Sequence, residues 1–85
     1  MPNPFPSSTT IHFETPAEVQ VRIGVFDAAG RRVATLMEAR VPGGTQSVRW
    51  EATDATGNAV RSGVYLCRLE AAGVSRTMRL LLLHR

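Results

Sequence analysis

The side chains able to do chemistry are few, and their spacing limits what they can do. There is one cysteine, Cys67, and there are two histidines, His12 and His84. A nucleophilic thiol needs a neighbouring histidine or a helix N-terminus to lower its pKa, and both histidines lie near an end of the sequence. One cysteine forms no internal disulfide. Cys67 sits between Tyr65 and Leu69 on the apolar side of an alternating stretch, so it is expected to be a buried, chemically quiet hydrophobe. Ala52-Thr53-Asp54-Ala55-Thr56-Gly57-Asn58 has the look of half a calcium loop. Calcium takes six or more oxygens, and this segment offers Asp54, Asn58 and hydroxyls, so an Asx-type turn is expected there. No Ser-His-Asp set, paired carboxylates, metal-spaced His/Cys group or phosphate-cradling glycine loop can be assembled. The expectation is a protein that is not an enzyme and holds no cofactor or metal.

Ten basic residues stand against seven acids, a net charge of +3, and every basic residue is arginine. Without lysine there is no Schiff-base chemistry and no Lys-Asn isopeptide staple. The arginines at 22, 31, 32, 40, 49, 61, 68, 76, 79 and 85 are spread along the chain without interleaved aromatics. A nucleic-acid groove normally has both clustering and aromatics, so a solvated outer face is expected and no nucleic-acid partner.

The elements that must carry these residues are strands. The stretch Ser62 to Val74 and the run to Arg85 that follows it hold two apolar runs separated by a short Ala/Gly break, and predict two long antiparallel strands joined by a hairpin. Its inner face would be Tyr65, Cys67 and Leu69 on the first strand, and Val74, Met78, Leu80 and Leu82 on the second, with Ser75, Thr77, Arg79 and Leu81 outside. Such a hairpin cannot bury its apolar face alone. Upstream, three prolines in Met1 to Ser8 predict an extended lead-in without regular strand. Thr9 to Glu14 places Ile11 and Phe13 inward and His12 outward, and Val19, Val21, Ile23 and Val25 alternate strictly. Asp27-Ala28-Ala29-Gly30 closes a turn. The return strand, Arg32 to Glu38, carries Val33, Leu36 and Met37 without clean periodicity and ends before Val41-Pro42-Gly43-Gly44. Thr45 to Glu51 delivers Trp50 to the core, and Ala59 to Arg61 is expected to add a brief strand.

These elements predict an all-β protein, a small antiparallel β-sandwich of about seven strands. Residues 9–85 form one domain, with a core of Ile11, Phe13, Val21, Ile23, Val25, Val48, Trp50, Tyr65, Leu69, Met78 and Leu80. A chain of 85 residues buries roughly 60 to 65% of its unfolded surface, enough for one small core. The longest apolar run, Leu80 to Leu83, is far short of the ~20 residues a membrane helix needs. Met1 to Pro6 has neither a basic start nor an apolar stretch, so no signal peptide is expected there. The chain is expected to be cytosolic as it stands, or a part of a longer exported protein.

A run of motifs then adds a family resemblance. They are Asn3-Pro4-Phe5, Ser8-Thr9-Thr10-Ile11, Val25-Phe26-Asp27 with Gly30-Arg31, Pro42-Gly43, Trp50, Asp54 with Gly57, and Ser62-Gly63-Val64-Tyr65 with Arg68-Leu69. Their order resembles the C-terminal sorting domain of type IX secretion cargo and the related immunoglobulin-like domain of flagellar hook-capping proteins. The closing Met78 to Arg85, an apolar strand with a basic last residue, is similar too. The chain departs from the family in Pro6-Ser7-Ser8 after Phe5 and in Cys67, where an aromatic is common. The resemblance implies an immunoglobulin-like or fibronectin-like sandwich at the C-terminus of a longer secreted protein of a Bacteroidetes-like bacterium. It implies export through the periplasm to the cell surface or medium, a secretion translocon as partner, a surface sorting peptidase, and an upstream cargo domain. Arg76, Arg79, Leu81, Leu83 and Arg85 would be the recognition surface, because a terminal strand leaves an edge open to strand addition or self-association. Asn3, Pro4, Phe5, Asp27, Gly30, Trp50, Gly63 and Tyr65 carry the family motif. The alternatives are a hook-cap domain, or a spacer or carbohydrate-binding module of a multidomain glycoside hydrolase. The scarcity of aromatics (Phe26, Phe5 and Trp50) weighs against a sugar-binding face.

Overall fold

The computed structural model describes residues 4–5 and 8–83, the former as backbone only. Asn3, His84 and Arg85 lie outside the described residues. Seven strands are present: β1 Pro4–Phe5, β2 Thr9–Thr15, β3 Val19–Asp27, β4 Arg32–Val41, β5 Gly44–Trp50, β6 Gly63–Ala71 and β7 Val74–Leu82. Five of them form one sheet in the order β1-β7-β6-β3-β4, and β2 pairs with β5 in a second. The all-β sandwich expected from the alternation is therefore the architecture. No described helix is long and apolar enough to cross a membrane.

The core is the set of inward positions that the period of two selects. Val21, Ile23 and Val25 of β3 are fully buried with Trp50 and Leu82, and Ile11, Tyr65, Cys67 and Leu80 are buried beside them. The Trp50 and Tyr65 rings meet edge to face, 5.3 Å between centroids. Phe13, Val48 and Leu69 pack against this cluster half-buried. Met78, expected in the core, is instead 38% exposed, and Val74 is 55% exposed. Both share a side of β7 with Arg76, since Val74, Arg76, Met78 and Leu80 stand opposite Ala71, Leu69, Cys67 and Tyr65. An inward-pointing charge on an outer strand keeps that stretch wet.

Three further expectations are corrected. Pro4–Phe5 forms a two-residue parallel pairing with Leu81 and Leu82, which proline tolerates at a sheet edge because its missing N–H is not needed there. β4 runs on to the buried Val41, and its blurred periodicity has a cause. Its register against β3 shifts between Ile23 and Gly24 and again between Val25 and Phe26, so Leu36 and Val33 are the extra residues of two bulges. Ala59–Arg61 makes no strand; Ala59 contributes one isolated bridge to Thr53.

The turns follow from side-chain chemistry. Asp27 Oδ1 accepts hydrogen bonds from the backbone N–H groups of Ala29 at 3.0 Å and Arg31 at 2.9 Å, and Gly30 takes φ +87°. The β6–β7 turn has Ala72 at φ 52° and Gly73 at φ 76°, the two positive values of a type I′ hairpin turn.

Candidate recognition face

Several motif residues prove to be structural. Trp50 Nε1 donates to the Thr53 carbonyl at 3.0 Å. The Tyr65 hydroxyl donates to the Arg61 carbonyl at 2.7 Å, tying the start of β6 to the loop before it. Burial, with the nearby Asp27 carboxylate adding to it, raises the pKa of Tyr65. Asp27 is held below the usual carboxylate range, chiefly by the Arg31 backbone N–H and also by the Arg31 guanidinium. Gly63 opens β6 opposite Leu82.

Asp54 is likewise an organiser of its own loop. Its Oδ1 accepts from the Thr56 hydroxyl at 2.7 Å, the Thr56 N–H at 2.9 Å and the Asn58 N–H at 3.0 Å. These bonds, the Thr56 hydroxyl foremost, lower its pKa, and all three fall on Oδ1, as in an Asx-type turn. Among the described residues no group of three or more His, Cys, Asp or Glu side chains is placed to hold a metal ion. Cys67 is 2% exposed, and burial pushes its thiol up to about 11.

The expected recognition residues are divided by the pleat. Arg79 and Leu81 lie on the outer side of the five-stranded sheet, whereas Arg76 lies on the inner side of β7 with Met78. Leu83 is exposed just past the end of β7. The edge of β7 is only partly open: β1 covers it at Leu81–Leu82, and Val74 to Leu80 has no other neighbour on that side among the described strands.

What sequence spacing hid is that pairing gathers the scattered arginines. One cross-strand row on the outer side runs Arg79, Leu66, Phe26, Arg32, and the next runs Thr77, Arg68, Gly24, Thr35. The Arg68 guanidinium lies over the Phe26 ring, 5.5 Å from its centroid. A Cβ at Gly24 would stand 3.3 Å from Phe26 Cε1, so the glycine lets the ring lie flat across β3. Arg22, Arg31, Arg40 and Arg49 are ion-paired, to Glu38, Asp27, Glu18 and Glu51. Arg32, Arg68 and Arg79 have no such carboxylate among the described residues.

On the inner side a groove of about 660 Å³ runs between β2 and the tip of the hairpin, lined by Phe13, Val19, Leu69, Ala71, Val74 and Arg76 among others. The second sheet has two strands against five, so it leaves this end uncovered.

The family model described as FlgD Ig-like domain matches residues 5–74. No curated protein matches the sequence. Among solved structures, dimeric latent PorU from Porphyromonas gingivalis superposes with a TM-score of 0.79 at 21% identity, over 99% of this chain and 9% of that one. FlgD from P. aeruginosa gives 0.69 at 20%, over 85% of this chain and 58% of that one. PorZ, described as an essential bacterial surface component of the type IX secretion system of Porphyromonas gingivalis, gives 0.62 at 25%, over 98% and 11%. This chain thus spans less than two thirds of each of these proteins.

Proposed function

Because the chain belongs to the FlgD Ig-like domain family, we propose that it acts as a non-catalytic recognition domain of a longer exported protein, read by the type IX secretion translocon as a sorting signal. The observation that supports this most is the match to PorZ over 98% of the chain. That match takes in β7, which lies almost wholly beyond the family-model match to residues 5–74. In this reading the domain passes through the periplasm and reaches the cell surface or medium. Its partners are the translocon, a surface sorting peptidase and the cargo domain ahead of it. Its arginine-rich outer face and the uncovered part of the β7 edge are the surfaces available for contact.

The test is transfer. Residues 1–85 fused behind a periplasm-directed fluorescent reporter, in a host with a type IX system, are expected to carry the reporter outside the cell. Retention in the periplasm, while a known cargo domain exports the same reporter, overturns the sorting reading. The family description and the FlgD match favour a hook-cap module as the second reading, and it takes the place of the first under that outcome.

A further inference from the structure

The outer side of the five-stranded sheet is built like the centre of a protein interface. Phe26, Leu66, Val64 and Leu81 are half-buried there and adjacent in register: Phe26 stands opposite Leu66, and Val64 opposite Leu81. Arg32, Arg68 and Arg79 border them. The acids of this side, Glu70 and Glu38, stand opposite Arg22; Glu70 shares a hollow with Phe26, Arg32 and Arg68, where the arginines outnumber it and leave an excess of positive charge. An apolar centre with an arginine rim is the composition that protein interfaces enrich.

We propose that this half of the outer face docks a protein partner whose own contact surface is apolar and bordered by carboxylates. Charge complementarity fixes the sign of the partner. The aliphatic members Leu66, Val64 and Leu81 favour a polypeptide over an acidic glycan, because a glycan would use the arginines and the Phe26 ring and leave the aliphatics unmatched. Four strands about 4.8 Å apart and five residues of β6 span on the order of 200 Å² of sheet, far below the roughly 800 Å² per partner of a stable interface. The contact is therefore weak, steered by charge and sensitive to salt. The inner groove carries no comparable assignment: its one arginine, Arg76, stands with Glu14 and Glu18, so it has no positive excess. The inference goes beyond the sorting reading and stands whichever assembly supplies the partner.

The experiment is a nitrogen-15 NMR titration of the whole chain at low salt, with a short peptide of alternating glutamate and leucine as the probe. An alginate oligosaccharide, which is acidic without aliphatic side chains, is the comparison. Shift changes should map to Phe26, Leu66, Arg68, Arg32 and Arg79. Affinity should fall by about an order of magnitude in the triple variant Arg32→Gln, Arg68→Gln, Arg79→Gln, and be unchanged in Arg76→Gln, with melting temperatures showing both variants folded. Shifts centred on Phe13, Leu69 and Met78, or loss of binding in Arg76→Gln, would overturn the assignment. So would alginate binding as tightly as the peptide, which would make the face a glycan site, and so would absence of binding by either probe.

Discussion

Along the β6–β7 hairpin, the two ends differ in what lies across from them. At one end Tyr65, Leu80 and Leu82 share a buried cluster with Trp50 and Ile11. At the other, Leu69 is half-buried, Met78 and Val74 are exposed, and Arg76 stands among them. The strands are the same and their pairing is continuous, so hydrogen bonding is not what distinguishes the ends. The difference is coverage by the second sheet, which has only β2 and β5 to offer. Stability therefore concentrates at the closed end, while the tip and the outer face are left as surface.

The comparison can be broken most forcefully at the closed end. Trp50→Ala or Leu82→Ala opens a cavity in a fully buried site and should cost about 3 to 5 kcal/mol, enough to unfold much of a domain of this size. Met78→Ala at the tip should cost less than about 1 kcal/mol. Urea denaturation compares them, and equal losses would remove the distinction.

Alkaline pH probes the same end. Cys67 is neutral when folded, with its pKa raised from 9.0 to about 11. A raised pKa means the stability it contributes is complete below pH 9 and lost as the pH climbs through 11. Each pKa unit is worth about 1.4 kcal/mol, so the loss is roughly 3 kcal/mol, and Cys67→Ala should flatten it. Tyr65 is shifted in the same direction and adds to the decline. A thiol reagent should label Cys67 slowly in the folded domain and fast in urea.

At the acid side the sign reverses. Asp27 and Asp54 have lowered pKa values, so what they contribute is present above about pH 4 and lost as the pH falls through their folded values. Asp27→Asn should weaken this acid sensitivity in a melting profile measured down to pH 2. Chelator should leave the melting temperature unchanged at any pH, since no group of three or more His, Cys, Asp or Glu side chains is assembled among the described residues; a rise of several degrees with excess calcium would make Asp54 a ligand.

The smallest effect lies at the tip. Ala72 holds φ 52°, where a Cβ is disfavoured, so Ala72→Gly should stabilise the hairpin turn by up to about 1 kcal/mol. A loss of stability would show that the turn is held by something other than its backbone.

Much of this was legible in the sequence because alternation is a local signal. Val21, Ile23 and Val25 and the inward Trp50 all follow from it, and the Asp27–Gly30 turn follows from equally local Asp and Gly chemistry. The rest depended on pairing. The bulges at Val33 and Leu36 erase the period of β4, and nothing local marks how far β2 and β5 reach over the hairpin, which decides the fate of Met78. The arginine face was hidden most completely. Arg32, Arg68 and Arg79 are far apart in the chain, and only the register through Phe26 and Leu66 brings them together. The alternation that turns Val25 inward already turns Phe26 outward, but which side chains of other strands lie beside its ring is set by the register alone.

Native-state hydrogen exchange tests the division between the two ends most directly. The slowest amides of Val21–Val25 and Tyr65–Cys67 should exchange only with global unfolding, with the full dependence on denaturant. Those of Val74–Met78 should exchange through a local opening of much lower free energy that denaturant hardly affects. Protection at Val74–Met78 equal to that of Tyr65–Cys67 would contradict the account.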